Sequence, residues 1–304
     1  MKKLLLTIMV LATAITTVAK DKETVTLIYP WGLADTPAQY SRSLAEEANK
    51  IQDKYNFVVD ARSGAGGAIG TLYVKNTPNT ILATGSAFYI RPNFFPNESY
   101  NMADFRELMP QCEAPLAIIS RKYASWDEVP KDKPLNIGIT GLGITTHLVA
   151  LQIITKYPNI QAIPYKSSNE SVMALISGIT DFHAGFLGEA EVWKRDTKTP
   201  VHILGTTGTR SIAGYPTFVS QGFPGTLGKM SAPFQLMVPN TVSEERVKEY
   251  RSIFTKAAKA ATVHETYAVD HCQPLSDMPE NDLQPWVESQ ILHWRKLTTG
   301  VKIN

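Results

Sequence analysis

Two short segments place backbone donors and small polar side chains where they could hold an anion. Tyr29-Pro30-Trp31-Gly32-Leu33-Ala34-Asp35-Thr36 joins a β-rich run to a helix-like one, and Gly141-Leu142-Gly143-Ile144-Thr145-Thr146-His147 does the same further along. A strand-to-helix turn aims its free N–H groups, and the positive end of the helix dipole, at the mouth of a sheet. Two such turns facing across a cleft can hold a carboxylate with backbone donors, each hydrogen bond to the charged group contributing about 1.5–3 kcal/mol. Helix capping by Thr36 and Thr145 would account for either turn taken alone. Trp31 can stack on a ligand or cover the rim of the core.

The glycine-rich Gly64-Ala65-Gly66-Gly67-Ala68-Ile69-Gly70 has the wrong spacing for a dinucleotide-binding turn and follows the second strand instead of the first. It predicts a backbone that approaches a ligand or a neighbouring strand closely. No G-x-S-x-G elbow, H-E-x-x-H or C-x-x-C is present, and the six histidines are scattered at 147, 183, 202, 264, 271 and 293. His147 falls inside a helix, which favours packing or hydrogen bonding over acid–base work. The residues therefore indicate no catalytic set, no metal site and no cofactor.

Alternating segments must position these turns. Strands are expected at 24–29, 57–59, 80–84, 136–139, 162–165, 180–184, 202–206 and 234–238, with a further apolar run at 116–119. Helices are expected at 37–54 (Tyr40, Leu44, Ala48 and Ile51 on one face), 145–156, 168–177, 243–261 and 284–297, and a polar linker at 126–133. Strands separated by helices imply α/β architecture with parallel sheets. The pattern restarts after Cys112, giving two similar halves and a C-terminal remainder that packs back on the first.

At 304 residues, 43% hydrophobic and 19% charged, the chain can bury a sizeable core. Met1-Lys2-Lys3 and the apolar run 4–19, too short for the roughly 20 residues of a membrane span, end in Thr17-Val18-Ala19. This reads as a secretory signal peptide cleaved after Ala19. The remaining 285 residues carry 28 basic and 28 acidic groups, which argues against a nucleic-acid partner. In an oxidising compartment Cys112 and Cys272 form either one disulfide or two buried thiols.

Four segments in order resemble the Bug-type periplasmic receptors, the substrate-binding proteins of tripartite tricarboxylate transporters, and the resemblance covers essentially the whole mature chain. Residues 62–70 are similar to R-P-G-A-G-G-x-I-G, and residues 141–148 to G-x-G-S-x-x-H-L. Ile163-Pro164-Tyr165-Lys166 with residues 174–181 resembles V-P-Y-K-G and A-x-x-x-L-x-x-G-x-V-D; residues 209–224 resemble R-x-x-x-x-P-x-x-P-T-x-x-E-x-G. The resemblance implies a type II periplasmic binding-protein fold of two α/β domains, 20–115 plus 233–304 and 116–232, hinged near 113–120 and 229–235. A small organic acid would sit between the domains, held by Trp31, Gly32, Ala34, Asp35 and Thr36 on one side and Gly143, Ile144 and Thr145 on the other. Ser86, Tyr165 and Asp181 are further cleft residues on the same ground.

The implied protein is a monomeric periplasmic receptor, not an enzyme, that hands its ligand to integral-membrane transporter subunits. A receptor for a signalling system, or a secreted hydrolase or lyase on the same fold, are the alternatives. The first loop departs from the family's P-F-P-P-G-G-x-T-D: Ala34-Asp35 replaces the glycine pair and Ala38 the aspartate, while Ser167 replaces a glycine after Lys166. Asp35 would repel a carboxylate, or recognise a ligand amine or hydroxyl.

Overall fold

The computed structural model describes residues 21–97, 100–196 and 198–303; the expected signal peptide, 1–19, lies outside them. The chain opens with β1 (Glu23–Tyr29), whose β-branched residues suit a pleated surface, and α1 (Thr36–Lys50). Pro37 sits in the first turn of α1, where its fixed φ fits and its missing N–H breaks no hydrogen bond. Tyr40, Leu44 and Ala48 are buried, as their spacing predicts. The helix ends at Lys50 instead of 54, leaving Ile51 exposed.

The first half continues through β2 (Tyr55–Ala61), α2 (Ala68–Asn76), β3 (Thr80–Gly85), α3 (Ala87–Phe94) and β4 (Phe105–Ala114). Pro115 alone separates β4 from β5 (Leu116–Ser120). The second half adds β6 (Leu135–Ile139), α4 (Thr145–Ile154), β7 (Ile160–Pro164), α5 (Ser168–Ile176), β8 (Phe182–Phe186), α6 (Leu187–Arg195) and β9 (His202–Thr206). The chain then returns through β10 (Ala232–Pro239), α7 (Glu244–Ala257), α8 (Ala261–Val269), β11 (Gln273–Pro274) and α9 (Glu280–Thr298). The single helix expected over 243–261 is thus two. Ser243 caps α7 by accepting from Arg246 N–H, and α8 starts after an extended Ala260.

Two sheets result, ordered β11-β4-β10-β3-β1-β2 and β7-β6-β8-β5-β9. Neither is wholly parallel, which corrects the sequence expectation. In the first, β1, β2 and β3 run parallel, and β10 runs antiparallel between β3 and β4. In the second, β5 runs antiparallel to both β8 and β9. The cause is topological: β5 and β10 are the strands by which the chain enters and leaves the second half, so they lack the βα crossover that makes neighbours parallel. The expected polar linker at 126–133 is anchored by a buried Trp126, which packs on Phe182 and Phe223.

Cys112 in β4 is disulfide-bonded to Cys272 beside β11, with 5.4 Å between Cα atoms, deciding the earlier alternative. It fastens the C-terminal segment to the first sheet. Among the described residues no helix is long and apolar enough to cross a membrane.

Candidate functional site

The carboxyl ends of β1, β3, β6 and β8 converge on one cavity, the position where open α/β sheets present their turns. Tyr29, Trp31 and Asp35 enter it from the first turn, and Gly85, Ser86 and Ala87 from the β3–α3 junction. Thr140, Ile144, Thr145 and Thr146 face them from the second turn, with Ser168 at the start of α5 and Phe186 at the end of β8. Ala232 and Phe234 of β10 complete the wall. The cavity is open to solvent on one side, and its space, about 400 Å³ including that opening, is of small-molecule scale.

Contacts between halves hold this arrangement. Ser86 and Thr145 share a hydroxyl–hydroxyl hydrogen bond, and the Phe186 and Phe234 rings pack edge to face at 5.3 Å. Arg91 donates to the Leu142 carbonyl at 2.8 Å. A Cβ on Gly141 would lie 3.0 Å from Gly66 Cα, so the glycine-rich segment does bring its backbone against a neighbouring turn. Gly66, at φ +58°, also needs the left-handed conformation that glycine adopts without strain.

Neither helix at the two turns is capped by a side chain: the cap positions are Asp35 and Ile144, not Thr36 and Thr145, and neither makes a capping hydrogen bond. Simple capping thus does not explain the turns. Thr146 instead accepts from Thr140 N–H at 3.2 Å, and Gly143 N–H donates to His147 Nδ1 at 3.0 Å. Burial pushes the His147 pKa down to about 4, so its neutral ring accepts that bond and adds no charge. Trp31 lines the cavity, and its indole N–H is buried without a partner.

Asp35 reaches across the cleft. Its Oδ1 accepts from Asn169 N–H of α5 at 3.0 Å, and its Oδ2 from Gly32 N–H at 3.1 Å. A carboxylate from the first half therefore sits at a helix N-terminus of the second. Asp270 lies against the start of α6, beside Gly188, and accepts from the Tyr40 hydroxyl. Beside it His271 Nε2 lies 3.1 Å from Glu191. Burial is the main cause lifting Asp35 to about 6 and Asp270 to about 7; Glu189 adds repulsion to both.

These shifts have opposite signs for stability. The folded chain holds the Asp35 and Asp270 protons more tightly than the unfolded chain, whose value is 3.8, so stability falls as pH rises from about 4 through about 6 and 7. His147 works the other way, with stability rising between about 4 and 6.5. The opposing trends overlap below pH 6, and Asp270 dominates above it. Asp270→Asn should therefore flatten the loss of stability between pH 6 and 8. Its advantage over wild type should grow by up to about 4 kcal/mol from pH 4 to 8. Urea unfolding at pH 4, 6 and 8 measures this, and parallel curves for the two proteins would exclude it.

Of the residues expected in the cleft, Trp31, Asp35, Ser86, Ile144 and Thr145 line the cavity. Gly32 and Gly143 shape the turns from behind through the hydrogen bonds described, and Thr36 begins α1. Ala34 points outward and is exposed. Tyr165 lines a separate cavity with Arg91 and Gly66. Asp181 precedes β8, at the opposite end of the sheet, where it pairs with Lys122 at 2.6 Å and accepts from Asn136 N–H. Sequence reasoning missed Tyr29, Thr140, Ser168, Phe186 and Phe234. A signal was available for three: Tyr29, Thr140 and Phe186 end or follow strands leading into the site.

Ser168, His183 and Glu189 also meet at this wall. Ser168 Oγ donates to Glu189 Oε2 at 2.6 Å and stands 3.5 Å from His183 Nε2, while Ser171 Oγ lies 2.7 Å from Nδ1. A nucleophilic triad places the imidazole between serine and acid. Here the carboxylate takes the serine hydrogen bond itself, an arrangement that fixes the wall.

A family model described as the tripartite tricarboxylate transporter family receptor matches residues 40–302. The chain belongs to this family. Solved structures agree in fold. The periplasmic binding protein BugD matches with TM-score 0.82 at 20% identity, covering 91% of this chain and 97% of that one. R. palustris Rpa4515 with adipate matches at 0.81 and 21%, covering 91% and 96%. MatC (Rpa3494) from Rhodopseudomonas palustris with bound malate matches at 0.77 and 18%, covering 90% and 98%. The Bug-type resemblance and the periplasmic binding-protein fold read from the sequence of this tripartite tricarboxylate receptor therefore hold.

Proposed function

We propose that this protein is an extracytoplasmic receptor that captures a small organic carboxylate between its two halves and delivers it to a tripartite-type membrane transporter. Residues 1–19 would direct export to the periplasm and be removed, and the receptor would act as a monomer. The bodies that close are 20–115 plus 233–304 and 116–232, hinged where the chain crosses between sheets. The observation that carries the reading is the cavity between two uncapped strand-to-helix turns, lined by Trp31, whose indole N–H is buried and unpaired. A buried donor left without a partner costs free energy that a ligand oxygen would recover. Two of the solved structures similar to this chain are described with adipate and with bound malate, both small organic acids.

A thermal-shift panel of small mono-, di- and tricarboxylates tests this. The correct acid raises the melting temperature in step with its concentration, and a panel that shifts nothing rejects the proposal. Trp31→Phe keeps an aromatic ring, smaller than the indole, and removes the donor. It should weaken binding by roughly 10- to 100-fold, the equivalent of one hydrogen bond to a charged group, as titration calorimetry would show.

A further inference from the structure

The chemistry of the cavity lining narrows the ligand further. Its donors are the Ser86–Thr145 hydroxyl pair and the first turn of α4, which no side chain caps, with the unpaired N–H of the lining residue Trp31. It also offers acceptors. Asp35 lines the wall itself, and Ser168 beside it is hydrogen-bonded to Glu189. Both carboxylates are buried, and among the described residues lining the cavity there is no lysine, arginine or histidine. His183, 3.4 Å from Glu189, lies behind the wall with both ring nitrogens near serine hydroxyls or that carboxylate. A purely anionic ligand would meet these donors but also like charge in the same lining, and like charges in a low-dielectric site repel strongly.

We propose that the acid bound here also carries a protonated amine, its carboxylate at the Ser86–Thr145 hydroxyl pair and Trp31, and its ammonium at Asp35. This rests on the carboxylate reading above and deepens it. An ammonium supplies the positive partner the wall lacks. The Asp35 carboxylate accepts from backbone N–H groups but, among the described residues, has no cationic side chain against it, and it has lone pairs left to receive an N⁺–H donor. Ser168 contributes a hydroxyl beside it. The departure of this loop from the family pattern, Ala34-Asp35 for two glycines, thus becomes a device for ligand selection.

The test uses pairs of acids that differ only in the α-ammonium group: glycine with acetate, alanine with propionate, aspartate with succinate, and glutamate with glutarate. Titration calorimetry on the wild-type protein should find one amine-bearing acid binding at least tenfold more tightly than its partner. In Asp35→Asn the ratio for that pair should shrink below threefold. The wild-type ratios decide the matter even where the variant does not fold. Equal or tighter binding of the amine-free acid overturns this proposal while leaving the carboxylate reading intact. Absence of binding across all four pairs overturns this proposal, and the wider thermal-shift panel then decides the carboxylate reading.

Discussion

Gly188→Ala should destabilise the protein by about 3 kcal/mol and abolish its thermal response to ligand. The sign runs against ordinary helix propensity. Gly188 is the second residue of α6, and alanine in a helix normally gains about 0.5–1 kcal/mol over glycine. Here a Cβ would lie 2.0 Å from Asp270 Oδ1 and 2.3 Å from both Asp270 Cα and the Val269 carbonyl. Two of those three atoms are backbone, so no rotamer change relieves the overlap. Helix α6 belongs to the second sheet's half and residues 269–270 to the returning segment, so relief requires the halves to separate at this corner. Gly225→Ala is the control, because nothing lies within 4 Å of its Cβ position and its φ is ordinary. Urea unfolding of the two variants should differ by the full 3 kcal/mol, and equal stability would show that the corner does not hold the halves together.

Removing the disulfide should have the larger effect. Cys112 and Cys272 are separated by 160 residues in sequence. Closing a loop of that length restricts the unfolded chain by about 5 kcal/mol in the chain-entropy account. The double substitution Cys112→Ala with Cys272→Ala should therefore lower the melting temperature by roughly 10 °C or more. The bond also fixes the corner just described, since Asp270 and His271 immediately precede Cys272 and touch α6. The double variant should lose ligand response together with stability. A fall under about 3 °C would mean that packing of α8 and α9 already holds the segment.

Much of this arrangement was legible in the residues. The two turns, the helix carrying Tyr40, Leu44 and Ala48, and the strands leading into the site all follow from local pattern, because periodicity and turn chemistry are local properties. Strand direction was not legible. The antiparallel placement of β10 depends on where the returning chain finds an open position between β3 and β4, and that position is made by residues more than a hundred positions away. The same limit explains Asp181. A motif match supplied its identity, but a residue that precedes a strand lies at the wrong end of the sheet for a site built on carboxyl ends. Ser168 meets the first half, and Asp270 the second, only through tertiary packing, so no spacing announced them. Asp35 was legible as an anomaly, and its contact with α5 gives that anomaly a physical meaning.

The central claim is that the acid sits in the cavity between the two turns. Crystals grown with the tightest-binding acid of the panel test it most directly. The carboxylate should lie within hydrogen-bond distance of Trp31 Nε1 and of the Ser86–Thr145 hydroxyl pair. Density for the acid in the cavity bounded by Arg91 and Tyr165, with the space beside Trp31 left to water, would contradict it.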